Sequence, residues 1–600
     1  MTQNMVLFEV NCRTGGTRVL RWKEVYEKWL HADHLELNLK EQLIAMKSEP
    51  SKLEDAFYQY LSFGTGGMRG ILGPGINRMN IYTVRKAVEG LAHYIAENVV
   101  NYKDRGVVIA YDSRYMSKQF AMETAKVLGA HHIKSYVFDT IQPTPLLSFA
   151  VRYFNAAAGV MITASHNPPE YNGFKVYNEQ GSQISLDEAN EIIQYIQKVE
   201  DELAIETLEE EQLAQKFLLQ IVYDEVNKAY LDKLRTISKL NEINLVKQKD
   251  LKIVYTPLHG TGLNLVEKGL KQLNFDHVYI VEEQAVPDPE FSTVASPNPE
   301  ENQAFEYAIE LGKKVNADIL LATDPDADRL GVAVKNKDNE YVVLTGNQLG
   351  SLLLDYILRH TDHRILPNAR MIKTIVTTEL GRAIADYYGA QTVDTLTGFK
   401  YIGEKINEYD TTGEAFIFGY EESYGYLISG FARDKDAVQA SVMACEMAHY
   451  WKERGKSLLD ALEDLYKRHG YFKEGLDDLK LEGKAGQEKI KSIVNYFRET
   501  EQESFAGLQV EYVEDYLLGK IVSKKDKNKV FATRLPKENV IKYKLENNCW
   551  ICIRPSGTEP KIKWYYGAYG ETEKEAEDRL NKLKEALQNQ ILQPTNSDRQ

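Results

Sequence analysis

Five stretches of this sequence hold polar side chains dense enough to do chemistry. The first is TASHNPPEYNGFKVY, residues 163–177. It follows the apolar run AAAGVMI, so Ser165 is expected on a loop just past a strand's carboxyl end, where open α/β sheets place their sites. His166, Asn167 and Lys175 crowd this serine with donors and positive charge. That suits a hydroxyl carrying phosphate, although a lone loop serine is also an ordinary turn residue. The segment contains no G-x-S-x-G elbow, so acyl transfer is unsupported. The second stretch is DPDADR, residues 324–329, after the strand-like ADILLA. Asp324, Asp326 and Asp328 repel one another unless a cation sits among them, and a cluster of hard oxygen ligands suits Mg²⁺ better than Zn²⁺. An EF-hand is excluded, because Arg329 and Lys335 stand where the loop needs glycine and glutamate. A capped helix start or acidic turn is the competing reading. Arg329 weighs against it, because its guanidinium can hold a phosphate beside a metal.

The remaining three are weaker alone. GYEESYGY (419–426) sets Glu421, Glu422 and Ser423 between glycines on a loop after FIF. By itself it reads as a surface turn, though carboxylates and hydroxyls on a rigid loop also suit sugar hydroxyls. RPSGTEPKIKWY (554–565) follows the strand-like WICI. Ser556, Gly557 and Thr558 offer two hydroxyls and a flexible backbone able to form an anion nest, with Arg554 and Lys563 adding charge-assisted bonds. A plain hairpin turn is equally open. FGTGGMRG (63–70) fails the dinucleotide fingerprint, because Arg69 stands where the third glycine is required. It reads instead as a glycine turn presenting Arg69 to an anion.

The elements that must position these loops repeat one pattern three times. GVVIAYDSR (106–114), LKIVYTPLHGTG (251–262) and MIKTIVTTELG (371–381) each read as a strand and loop, followed by an amphipathic helix and a second strand. These are βαβ units, which predict parallel or mixed sheets with covering helices. The tail differs: a helix at 486–499, several short β-rich runs and a closing amphipathic helix at 571–590 suggest a smaller α+β domain. The charged stretch 199–214 reads as solvated helix faces or a linker.

The bulk properties narrow the partners. The chain has 600 residues, 43% of them hydrophobic and 27% charged, which is ordinary globular composition for several domains. A net charge of −15 argues against nucleic acid while leaving room for a local Arg/Lys cluster around a small anion. Four cysteines make no disulfide framework and suit a reducing cytoplasm. Cys549 and Cys552 have CxxC spacing, but inside an apolar strand they would face opposite sides and read as buried thiols. No run of 18 apolar residues suggests a membrane span, and the first 21 residues lack signal-peptide features and read as a loosely held extension.

Together the motifs resemble the α-D-phosphohexomutase family over roughly residues 45–590, in family order and one to a domain. The resemblance implies an α/β fold of four domains around a central cleft: three similar mixed-sheet α/β domains and a smaller C-terminal α+β domain. The implied boundaries are an N-terminal extension and helix at 1–44, then domains at 45–215, 216–345, 346–470 and 471–600. It implies that Ser165 is the phosphoserine, and that Asp324, Asp326, Asp328 and a phosphoserine oxygen bind Mg²⁺. Lys175 and Arg69 become the candidates for the hydroxyl proton, with His166 beside them. Arginine is a poor base, so Lys175 is favoured. Lys400, Glu421 and Ser423 are implied to meet the sugar, and Arg554, Ser556, Gly557 and Thr558 its non-reacting phosphate; Arg329 joins the substrate set and Lys563 the phosphate set on their charge. Tyr420 stands where many members carry glycine, which predicts a changed backbone in that loop.

Within the family, TPLHGTG and the long N-terminal segment resemble a branch of phosphoglucomutases, phosphopentomutases and sugar-bisphosphate synthases, with the phosphoglucomutases the nearest likeness. The implied reaction is glucose 1-phosphate to glucose 6-phosphate through glucose 1,6-bisphosphate. Mannose, pentose or bisphosphate-synthase activity is the alternative. The implied partners are small sugar phosphates, with no nucleic acid or membrane, for a cytoplasmic monomer or dimer.

Overall fold

A computed structural model describes residues 22–64, 66–240, 249–481, 483–526, 529–556 and 561–592. Positions 1–21 and the expectations for Gly557 and Thr558 lie outside this set.

Each of the three repeated patterns folds as expected. Strand Val107–Tyr111, helix Ser117–Ala130 and strand Ser135–Phe138 form one βαβ unit with parallel strands. Ile253–Thr256, Leu263–Gln272 and Val278–Ile280 form the second, and Ala369–Thr374, Leu380–Tyr388 and Gln391–Thr395 the third. They belong to mixed sheets of seven, five and four strands. Helices cover the central strands, which accounts for uninterrupted apolar runs such as Ala158–Ile162, buried at every position. The C-terminal part is an antiparallel sheet of eight strands with helices Gly483–Glu499 and Glu573–Leu592.

One continuous apolar core joins the first three sheets, running through Val108, Leu265, Leu353 and Phe418. The last sheet has its own core around Val494, Tyr543 and Leu587. Ile375, Tyr401, Trp550 and Tyr565 pack across the seam between the third and last sheets. Cys552 lies on strand Trp550–Pro555 and Cys549 directly before it; they fall in different cores, so they are two separate buried thiols.

Three expectations about local placement change. Lys175 is not on the serine loop but on the strand Tyr171–Tyr177 that returns from it. Glu421 ends the strand Ala415–Glu421 instead of sitting on a free loop, and Gly425–Leu427 pairs back onto it. Within the charged stretch 199–214, Glu202 is buried and accepts hydrogen bonds from Trp29 Nε1 at 2.8 Å and Tyr60 Oη at 3.1 Å, tying helix Trp22–Leu30 and the segment at Tyr60 to this stretch. Charge density could not show this, because both partners are distant in sequence.

Asp436 ties the domains together and makes stability pH-dependent. Its carboxylate caps helix Ala437–Lys452 through Gln439 N at 2.9 Å and accepts from Tyr230 Oη at 2.7 Å. Tyr230 belongs to helix Asp224–Arg235, which follows the first sheet. Burial raises the Asp436 pKa to about 6, only partly opposed by these hydrogen bonds. The folded-state value lies above the unfolded one, so the carboxyl costs stability as pH rises from about 4 to about 6. Asp436→Asn keeps an N-cap and removes this titration. The variant's thermal midpoint relative to wild type is expected to rise between pH 4.5 and pH 7. Scanning calorimetry of both proteins across that range checks it.

Candidate active site

Parallel strands deliver the chemistry-bearing loops at their carboxyl ends. Ser165 comes three residues after Ala158–Ile162, and Asp324 directly after Ile319–Thr323. The two loops meet: Ser165 Oγ donates to Asp324 Oδ2 at 2.7 Å, across 159 residues of chain. Ser165 is 4% exposed and holds a left-handed backbone, φ 52°. A serine in that region is strained, so the surroundings must fix it. Thr163 Oγ1 accepts from Ser165 N at 2.8 Å.

Arg114, which the motif reading did not single out, supplies most of the clamp. Its guanidinium donates to the carbonyls of Ser165 at 2.6 Å, Pro168 at 2.8 Å and Tyr171 at 3.0 Å, and also to that of Asn167. Asp112 lies 3.4 Å from its Nε, and the Phe291 ring, from the connection that follows strand Val278–Ile280, packs against it. The YDSR string after the first βαβ strand was the available signal, but nothing local says that its arginine gathers four carbonyls. A lysine cannot reproduce this fork. Arg114→Lys is expected to lower kcat on the order of 10²-fold through a displaced Ser165, with KM changed much less. Steady-state kinetics check this split.

The aspartate loop is built to hold a cation. Ligand oxygens of Asp324, Asp326 and Asp328 all lie within 4.8 Å of one another, and all three residues are buried. Asp324 Oδ1 accepts from the backbone N–H groups of Asp328 at 3.0 Å and Arg329 at 2.9 Å. Asp326 Oδ2 accepts from Lys175 Nζ at 2.8 Å and Thr144 Oγ1 at 2.9 Å. Two further oxygens, Asp326 Oδ1 and Asp328 Oδ1, are buried without a hydrogen-bond partner. Orphaned anionic oxygens facing a triad of carboxylates fit a hard, oxygen-seeking cation. Burial, then Asp326 and Asp328, push the Asp324 pKa well up, which is the repulsion a cation would relieve.

The TPLHGTG segment is the scaffold of this loop. Thr261 N donates to the Pro325 carbonyl at 2.8 Å, and its hydroxyl reaches the same oxygen at 3.0 Å. A Cβ on Gly260 would come within 2.4 Å of Pro325 Cα, so only glycine lets the two backbones touch.

Cations ring the carboxylates. Lys175 Nζ also lies 3.6 Å from Asp328, and Lys435, unremarked in the sequence, reaches Asp328 at 3.2 Å. Burial disfavours the Lys175 ammonium, but Asp326 and Asp328 outweigh it and raise its pKa; Lys435 is likewise raised, chiefly by Asp328 against burial. His166 Nδ1 is 3.1 Å from Ser165 Oγ, and burial followed by the charges of Arg329 and Arg69 holds this imidazole neutral. Arg69 is exposed on the neighbouring strand and donates to Asn167 Oδ1 at 2.8 Å. Gly67, opposite Lys175, has φ 135°, and a Cβ there would collide with the Phe174 carbonyl at 1.9 Å.

The third and fourth loops close around this centre. Arg329 pairs with Glu300 and bridges to Gly425, so the aspartate loop abuts the GYEES hairpin directly. Glu421 is buried, accepts from Gly398 N at 2.8 Å, and has its pKa raised by burial. Gly398 precedes helix Phe399–Thr412, whose second residue is the buried Lys400. Tyr420 keeps regular register opposite Tyr426. Its ring is buried over Gly350 and Gly381, so the change falls on packing behind the loop and not on the loop's backbone. Arg554 and Lys563 face each other across the C-terminal hairpin, and Ser556 N closes its base on the Lys561 carbonyl at 2.7 Å. Arg554 pairs with Glu538 at 3.3 Å and lies within electrostatic reach of Lys400, while Lys563 is within reach of Glu422 and Glu300. Burial lowers the pKa of both lysines.

Known proteins share this plan. Four family models match in chain order, described as phosphoglucomutase/phosphomannomutase alpha/beta/alpha domains I, II and III and C-terminal domain, at residues 60–203, 228–337, 345–469 and 510–585. A phosphoglucomutase of Staphylococcus epidermidis is 42% identical over 505 residues, covering 84% of this chain and 90% of its own. One from Staphylococcus aureus is 41% identical over 520 residues, 85% and 90% of the two chains. Among solved structures, a putative phosphomannomutase from Thermus thermophilus superposes with a TM-score of 0.65 at 23% identity, over 89% of this chain and 99% of its own. Paramecium parafusin, in an open form, gives 0.62 at 17%, over 88% and 95%. These two likenesses concern the fold, whereas the staphylococcal relatives and the four ordered domain matches concern the lineage. A phosphosugar-mutase plan runs the length of this chain, and the chain belongs to the phosphoglucomutase/phosphomannomutase family.

Proposed function

We propose that this chain interconverts glucose 1-phosphate and glucose 6-phosphate, with Ser165 as the covalent carrier. The observation that carries the reading is the 2.7 Å contact of Ser165 Oγ with Asp324, within a buried carboxylate triad ringed by Lys175, Lys435 and Arg329. Phospho-Ser165 passes its phosphoryl group to the free hydroxyl of the sugar monophosphate, and the seryl oxygen leaves. The resulting glucose 1,6-bisphosphate turns over in the cleft, and its other phosphate returns to Ser165. When bound at Asp324, Asp326, Asp328 and a phosphoserine oxygen, Mg²⁺ supplies charge neutralisation at the transferring group.

The chain's own groups do the positioning. Arg114 holds the serine backbone, and Arg69 flanks the loop on its exposed side. Lys175 is held protonated by Asp326 and Asp328, which makes it a proton donor and an electrostatic partner of the phosphoryl oxygens in this arrangement. Lys175 is also the residue proposed to handle the hydroxyl proton, a role that a cation held by Asp324, Asp326 and Asp328 would favour by offsetting their charge. Neutral His166 can hydrogen-bond the same oxygen. Glu421 and Ser423 hold sugar hydroxyls common to both orientations, Lys400 and Arg329 contact the sugar phosphate, and Arg554, Ser556, Gly557, Thr558 and Lys563 hold the phosphate not reacting. The proposed domains are 45–215, 216–345, 346–470 and 471–600 after the segment 1–44, with the first boundary moved beyond Val222, because strand Leu219–Val222 pairs with Ser135–Phe138 in the first sheet. A cytoplasmic location suits the three buried free thiols.

Specificity is tested by kcat/KM on glucose, mannose and ribose 1-phosphates with catalytic bisphosphate present. Glucose 1-phosphate is expected to be best, mannose 1-phosphate weaker but detectable, and ribose 1-phosphate poor, because loss of a gripped hydroxyl leaves a buried glutamate unpaired. A preference for ribose 1-phosphate would replace the reading with a phosphopentomutase. Net bisphosphate formation from an activated donor, without mutase turnover, would make the enzyme a synthase.

A further inference from the structure

A second cluster of metal-ligating side chains lies on the first domain, apart from the aspartate loop. Glu89 and His93 stand one turn apart on helix Ile81–Asn98, so both project from the same face. His131 is the C-cap of helix Ser117–Ala130, which packs beside that helix. The three converge on one point. His131 Nε2 lies 2.8 Å from Glu89 Oε2, and His93 Nε2 lies 3.3 Å from the other oxygen, Oε1. One ligand atom from each residue falls within 4.8 Å of the other two, and the imidazole rings meet edge to face at 5.1 Å.

We propose that Glu89, His93 and His131 form a site for a borderline transition-metal dication of the Zn²⁺ type, stapling the two helices together. Two imidazole nitrogens and one carboxylate are the donor set that Zn²⁺ takes in three-ligand sites, where water completes the tetrahedron. Such a set contrasts with the all-oxygen triad at Asp324, Asp326 and Asp328, so the chain sorts two metals by ligand softness. The site is reachable: the side chains of Glu89, His93 and His131 are 20%, 50% and 26% exposed. Glu89 and His93 open onto a cleft of about 470 Å³ also lined by Glu97, Glu200, Asp201, Glu206 and Lys198, a lining with more carboxylates than cations that favours dications. Only modest side-chain rotation is needed, because ligands at about 2.0–2.1 Å from zinc stand roughly 3.4 Å apart.

The test uses the full chain, stripped of metal and then saturated with Mg²⁺ to occupy the carboxylate triad. Co²⁺ is titrated in as the spectroscopic probe, followed by visible absorption, with bound metal counted by elemental analysis. Wild type is expected to bind one more equivalent than the His93→Ala/His131→Ala variant. Its Co²⁺ spectrum should carry the intense bands of a four-coordinate site with nitrogen ligands, and these should be missing from the variant. Added Zn²⁺ should raise the thermal midpoint of wild type and leave that of the variant unmoved. Basal mutase turnover should be unchanged in the variant, since neither histidine touches the catalytic loops. Glu89→Gln, which preserves side-chain shape, serves as a second variant and should also lose the extra equivalent. Equal stoichiometry in wild type and both variants overturns the site and leaves the trio an ordinary carboxylate–imidazole hydrogen-bonded cluster. Because the readout is the loss of one equivalent, it stands or falls independently of the aspartate loop.

Discussion

Ser165→Ala is expected to abolish turnover by a factor of at least about 10⁴, the scale on which enzymes lose activity when a covalent nucleophile is removed. Its Oγ is the only hydroxyl in hydrogen-bond contact with Asp324 among the described residues. The neighbouring Thr163 hydroxyl is committed to the Ser165 backbone N–H. The variant should remain folded, because the clamp on this loop acts through carbonyls. Arg114 holds the backbone of residue 165 whatever its side chain is. Intact-mass measurement should find one phosphoryl group on wild type and none on the variant. Full activity in the alanine variant, with the modification found elsewhere, sinks the assignment of Ser165 as carrier.

Asp326→Asn has the second largest expected effect, a fall in kcat of roughly 10²–10³-fold together with a higher Mg²⁺ requirement. One oxygen of Asp326 already serves Lys175 and Thr144, while the other is buried without a partner. Burial opposes the charge, yet Lys175 above all holds this carboxyl ionised. An amide supplies no anionic ligand. It also confronts Lys175 with either a weaker acceptor or an N–H₂ group, so the lysine loses its anchor as the cation site loses charge. Turnover is to be measured against Mg²⁺ concentration and after chelation. Wild-type activity that survives excess chelator, or an Asn variant with an unchanged Mg²⁺ curve, rules out the metal role of this loop.

The two predictions differ in how they became visible. Both loops are contiguous in sequence, and each declares its chemistry by composition: a serine crowded by donors, and three acids that cannot coexist without a counter-charge. The apolar runs AAAGVMI and ADILLA then placed both at strand carboxyl ends, because strands covered by helices on both faces are apolar throughout and break off where the polar loop begins. The weaker loops were legible only as a set. GYEES reads as a surface turn until Arg329 bridges to Gly425 and Gly398 caps Glu421.

What the sequence determined by itself is therefore the α/β class, the three repeated units, the order of the loops and the residues within them, since these depend on periodicity and on neighbours a few positions apart. The tertiary structure alone decided which distant groups hold those loops in reacting geometry. Arg114 reaches carbonyls more than 50 residues away, Thr144 and Lys175 find Asp326 across 182 and 151 residues, and Lys435 closes on Asp328 from another domain. Glu202 likewise looked like one acid in a charged run and is a buried anchor. Lysine, arginine and threonine are common on any surface, so their types carry no sign of these partners. Only the shared core of the first three sheets brings them within hydrogen-bonding distance, and there burial turns ordinary charges into fixed ones.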